Sequence, residues 1–178
     1  RVRAVQTGLN GEFIVSPRLD DLQCVFACME GFLAAKAGES VPVLTVFNNE
    51  EVGSNTRQGA DSTFLTDVLE RIADGCGLSR EEWRAAVANS FMVSADNAHA
   101  IHPAHPEYAD QGEFPVLGGG VVIKYNANQR YTTDTVSAAV FQSICRRADV
   151  PVQRYSNRAD LPGGSTLGNI STAHFSVP

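Results

Sequence analysis

Apolar residues recur at three- and four-residue spacings from Asp20 to Ala37. Leu22, Val25, Phe26, Met29, Phe32 and Leu33 would share one face there, so the pattern predicts a helix that Gly38 ends. Thr63 to Gly75 carries a second helical pattern. Ser79-Arg80-Glu81-Glu82 has the form of a capping box, which should open a third helix running to about Asn89. Thr135 to Arg147 predicts a fourth, with Asp134 as its N-cap. Between these lie short apolar runs of strand type: Val41–Phe47, Ser90–Ala95, Val121–Tyr125 and Val150–Tyr155. Strands alternating with helices of this length imply an α/β sandwich with a mainly parallel central sheet. Residues 97 to 120 and 156 to 169 show little periodicity and are rich in Gly, Pro, His and Asn. Both follow predicted strands, where α/β proteins place their sites.

Composition narrows the picture. The chain has 178 residues, 43% of them apolar and 19% charged, which suits one globular domain and is too apolar for disorder. A core of that size is expected to bury roughly 70% of the surface that the unfolded chain exposes. The net charge is −6, with two lysines against twelve arginines. Such acidity argues against a nucleic-acid partner, because phosphate binding needs a basic footprint. No apolar run approaches the roughly 18 residues of a membrane span, so no membrane partner is expected. The chain begins with Arg1 and shows no signal peptide, and it is expected to be a piece of something longer. Cys24, Cys28, Cys76 and Cys145 are scattered and form no CxxC pair, so they read as buried free thiols. Free thiols fit a reducing compartment, and a cytoplasmic location is expected.

Three acidic groups carry the candidate chemistry. Glu50 and Glu51 follow an apolar run in Asn48-Asn49-Glu50-Glu51-Val52-Gly53, Asp96 ends another, and Asp20-Asp21 open a helix. Taken singly, each has a plain reading: a solvated turn, or carboxylates welcomed by a helix dipole. Together they can converge on one crevice. Carboxylates a few ångströms apart repel, and a divalent cation compensates them. Carboxylates flanking two metals, with one further Glu left as a base, are what a two-metal hydrolase needs.

Other side chains are more equivocal. His99, His102 and His105 invite a zinc reading, but nearby prolines oppose a regular helix on which they would share a face. Lys124 ends an apolar strand, where it either snorkels to water or offers a charge to an anionic substrate group. The loop from Asp160 to Gly168 could present backbone N–H groups to an oxyanion, but it is neither a Walker loop nor GxGxxG.

Five segments, SPRLDDL (16–22), NNEEVGSNTRQGADSTF (48–64), SADNAHAIHPAHPEYAD (94–110), GGVVIKYNANQRYTTD (119–134) and NRADLPGGSTLGNIS (157–171), resemble in order those of the M18 metallo-aminopeptidases, or aspartyl aminopeptidases. The resemblance implies a zinc-peptidase-like three-layer α/β sandwich with a mainly parallel central sheet, incomplete in this chain. It also implies a cofactor of two zinc ions per complete active site. Asp20 matches the bridging metal ligand, Glu51 and Asp96 match further ligands, and Glu50 matches the general base. His99, Lys124, Gly164, Ser165 and Thr166 match substrate-binding positions, with Lys124 the natural partner of an acidic N-terminal side chain.

The activity so implied is removal of N-terminal Asp or Glu from peptides, by a protein that forms a homo-oligomer when complete. Family members carry one ligating His before SPRLD and another in a Met-His-Ser stretch beyond this sequence, and a dimerisation insert precedes residue 1. The chain therefore reads as the C-terminal part of the catalytic domain, inactive by itself. The rival readings are a non-catalytic fragment or scaffold piece, and a different two-metal hydrolase such as a deacylase. The SADNAHA and GGVVIKYNANQRY segments argue against the latter.

Overall fold

Two sets of local signals, helix caps and β-branched apolar runs, organise the computed structural model, which describes residues 2–36, 38–158, 160–161, 163–164, 167–174 and 176–177. The chain divides into two compact units. The first takes the residues up to Val46 together with Ala95–Asn97; the second takes Phe47–Ser94 and the residues from Ala98 onward.

In the first unit, strands β1 (Val5–Thr7) and β2 (Phe13–Val15) form an antiparallel hairpin in which Val5 pairs with Val15. These strands were not among those expected from the pattern, because three residues are too few to show a period. Helix α1 (Leu19–Ala34) follows. It ends at Ala35, before the expected Gly38, and Asp20 and Asp21 have non-helical dihedrals at its start. Its apolar stripe is not buried: Leu22, Phe26 and Leu33 are 60%, 59% and 70% exposed.

The second unit contains α2 (Phe64–Gly75), α3 (Arg80–Ala88), β3 (Val121–Tyr125), α4 (Thr135–Arg147), β4 (Val152–Ser156) and α5 (Leu167–Ser171). Both expected caps form. Ser79 Oγ accepts from the Glu82 N–H at 3.2 Å while the Glu82 carboxylate accepts from the Ser79 N–H at 2.7 Å. The Asp134 carboxylate accepts from the Ser137 N–H at 2.7 Å. Strands β3 and β4 pair in parallel through the α4 crossover, with Val121 opposite Val152 and Lys124 opposite Tyr155. The α/β class and its parallel pairing hold, and the small core gathers Ala60, Ala73, Ile123, Tyr131, Ala138 and Cys145.

Two expected strands do not form. Residues 41–47 and 90–95 join no ladder among the described residues, and Val41, Val43 and Val93 are 85%, 54% and 53% exposed. An apolar run becomes a strand only where a neighbouring backbone completes its hydrogen bonds. The cysteines are free as expected, but only Cys145 is buried, and Cys76 is exposed.

Candidate metal centre and substrate-site residues

The start of α1 and the short 95–97 segment meet within the first unit. There Asp20, Asp21 and Asp96 each present a carboxylate oxygen within 4.8 Å of the others. Asp20 and Asp96 are two of the three expected ligands. Asp21 belonged, with Asp20, to the acidic groups expected to converge, but it was not among the expected ligands. The doubled Asp was the available signal, but side-chain direction at a helix entry is decided by backbone dihedrals that residue type does not reveal. At that spacing, like charges repel by roughly 1 to 4 kcal/mol per pair between water-like and protein-surface dielectrics.

The neighbouring thiol registers the same concentration of charge. Cys24 is pushed up to about 12, first by burial, then by the neighbouring Asp21 carboxylate and the charge of Asp96. A divalent cation relieves such a field. The donor set fits one, since carboxylate oxygens ligate zinc at about 2.0–2.2 Å, and an oxygen-only set suits harder cations such as Mg²⁺ or Mn²⁺ better. Among the described residues these three form the only such group of metal-capable side chains.

The expected base and third ligand, Glu50 and Glu51, belong to the second unit. They occupy a single 3₁₀ turn, Glu50–Val52, that the surrounding loop braces. Asn49 and Gly53 flank the turn in left-handed conformations. The Gly53 N–H donates to Glu50 O at 2.9 Å, the Ser54 N–H to Asn49 O at 2.9 Å, and Asn49 Nδ2 to Thr56 Oγ1 at 2.9 Å. Beneath it Ser54 is 2% exposed, and Gly59 packs so closely that a Cβ would stand 1.9 Å from the Ser54 carbonyl oxygen. Both glutamates are exposed.

Lys124 is half-buried, and its ammonium lies 5.6 Å from the centre of the Tyr131 ring, a cation–π contact the sequence did not suggest. Tyr131 is 6.3 Å from Tyr155, whose hydroxyl donates to Asn157 Oδ1 at 2.9 Å. Asn157 Nδ2 in turn donates to Leu161 O at 3.1 Å, tying the strand end to the glycine-rich loop. In that loop a Cβ at Gly163 would crowd Asn157, while Gly164 faces open space. Ser165 and Thr166 lie outside the described residues.

His99 is exposed. His102 and His105 stack at 5.2 Å, with His105 Nδ1 held 3.0 Å from Glu107 Oε1, so these rings are engaged locally rather than gathered with His99 around a shared ion. His174 pairs with Asp61 at 3.0 Å.

A carboxylate cluster of this geometry on an α/β scaffold can hold a divalent cation. The particular family follows from comparison: residues 1–178 match the family "Aminopeptidase I zinc metalloprotease (M18)", and the chain belongs to it. It is 48% identical over 170 residues to "Probable M18 family aminopeptidase 2" of Clostridium acetobutylicum, covering 96% of this chain and 39% of that protein. The chain thus spans about two fifths of the curated relative's length.

Among solved structures, the chain resembles the protein in "Cryo-EM structure of the Ape4 and Nbr1 complex". The TM-score is 0.87 at 37% identity, covering 99% of this chain and 34% of that one. It also resembles the Saccharomyces cerevisiae mApe1 dodecamer, with TM-score 0.80, 28% identity, and 99% and 40% of the two chains covered. No described helix is long and apolar enough to cross a membrane.

Proposed function

We propose that this chain is the carboxylate-bearing part of a two-zinc aminopeptidase that removes N-terminal residues, Asp and Glu above all, from peptides. The observation that carries the reading is the Asp20–Asp21–Asp96 cluster in a chain of the M18 family. Asp20, Glu51 and Asp96 would hold the two ions, with Asp20 between them. Zinc, when bound, supplies a Lewis acid and lowers the pKa of water to near 7.

The remaining work falls to this chain's own residues. The Glu50 carboxylate takes a proton from the attacking water and returns it to the leaving amine. Its braced turn supports that role, because a base must be held still to meet its proton. Lys124 offers its ammonium to the acidic side chain of the substrate. His99, Gly164, Ser165 and Thr166 line the same substrate site. Peptides are the partners in turnover. By analogy with the mApe1 dodecamer the complete protein is a homo-oligomer, and its free thiols suit the reducing cytoplasm as its place.

The test uses the whole protein that carries this chain. Glu50→Gln should retain zinc by elemental analysis while kcat on an Asp-terminal peptide falls by about 100-fold or more. Asp20→Asn should lose zinc as well. Retention of both metal and most activity by both variants would overturn the assignment.

A further inference from the structure

The Asp96 carboxylate comes to the cluster from a segment 76 residues after Asp20 in sequence, so something must hold that segment in place. The residue after it does so. Asn97 is half-buried, and its amide is gripped on both sides by consecutive residues of α1. Cys24 Sγ donates to Asn97 Oδ1 at 3.0 Å, and Asn97 Nδ2 donates to Gln23 Oε1 at 3.1 Å. The two contacts use opposite ends of one planar amide, so they fix its rotation as well as its position. Both partners lie within four residues of Asp20 and Asp21.

We infer that Asn97 is a positioning residue for the cation site: with Cys24 and Gln23 it clamps Asp96 against α1 and sets the spacing of the three carboxylates. The clamp works against their mutual repulsion, which would otherwise spread them when no cation is bound. This inference rests on the cation reading of the Asp20–Asp21–Asp96 cluster. Groups that orient metal ligands typically change metal affinity 10- to 100-fold when removed. A rigid spacing also favours a small ion over a large one, since selectivity between such cations follows cavity size and flexibility.

Calorimetric titration of the metal-free whole protein that carries this chain with MnCl₂ and with CaCl₂ tests the clamp. Asn97→Leu should weaken Mn²⁺ about tenfold or more and Ca²⁺ distinctly less. Cys24→Ala should weaken Mn²⁺ several-fold, and Cys24→Ser, which restores a donor, should return it to within about twofold of the parent. Far-UV circular dichroism reports whether each variant is folded. If Asn97→Leu does not fold, Gln23→Leu at its exposed position and Cys24→Ala each remove one arm of the clamp and decide the matter.

A change below twofold in the folded variants, or equal losses for both ions, overturns the positioning role. In either case a parent that binds Mn²⁺ and an Asp96→Asn variant that does not leave the cation reading standing. A parent that binds no Mn²⁺ overturns the cation reading and the clamp together.

Discussion

A lysine at the end of an apolar strand is held there at a desolvation cost unless its charge meets something. Lys124 meets the face of Tyr131, which steadies the ammonium. An ammonium so held still has its attraction for a carboxylate. Removing one partner of a desolvated charge pair costs about 2–5 kcal/mol, mostly from the charge left alone. In the whole protein, Lys124→Met should therefore lower kcat/KM on Asp-terminal peptides by about 30-fold or more and on matched Asn-terminal peptides much less. Equal losses on the two peptides would make Lys124 a structural residue. Gly59 offers a different single-residue test. A Cβ there would stand 1.9 Å from the Ser54 carbonyl, so Gly59→Ala must push the Glu50–Glu51 turn aside. Urea unfolding should show a loss of about 1–3 kcal/mol, the usual range for overpacking.

At the scale of elements, helices with explicit caps formed where their sequences predicted and apolar runs without partners did not become strands. The capping boxes of α3 and α4 are local: every donor and acceptor sits within three residues of its partner. Ser79→Ala should cost about 1 kcal/mol, read as a lower melting temperature with α4 unaffected. Their acid response has a definite sign. The Ser79 hydroxyl and N–H hold the Glu82 carboxyl below its ordinary 4.5, and the Ser137 N–H and hydroxyl hold Asp134 below its ordinary 3.8. Groups lowered in the folded state stabilise it fully above the ordinary value and lose that contribution as pH falls through the lowered one. Helix stability followed from neutral pH downward should begin to fall as the pH enters the ordinary carboxyl range and go on falling through the lowered values. Stability that stays unchanged as the pH falls below 4.5 would contradict the boxes.

For the whole molecule, the deciding quantity is surface. The chain exposes 13148 Å², whereas a folded monomer of 19.1 kDa exposes roughly 8,400 Å². Only about half of the extended chain's surface is buried, short of the expected 70%. Large apolar side chains contribute to the exposed surface, those of the α1 stripe among them. Denaturant sensitivity scales with the surface released on unfolding. The isolated chain should therefore show a urea m-value about three quarters of that of a compact protein its length. A full-sized m-value would show that the chain buries this surface in solution, against itself or against another copy.

The sequence by itself determined what depends on near neighbours. Helices α2, α3 and α4, the caps of α3 and α4, the strands β3 and β4 and the family to which the motifs belong were all legible, because periodicity and capping act within a few residues. The identity of Asp20 and Asp96 as members of one acidic cluster was also legible, through the resemblance. Tertiary structure decided the rest. It brought Asp21 into the cluster through the dihedrals at the entry to α1, and it set Asn97 between Cys24 and Gln23. It laid Lys124 over Tyr131 and left residues 41–47 and 90–95 without a ladder. In each case the outcome hangs on a backbone or side chain distant along the chain, and an apolar run or an acidic pair does not encode which distant group will come to meet it.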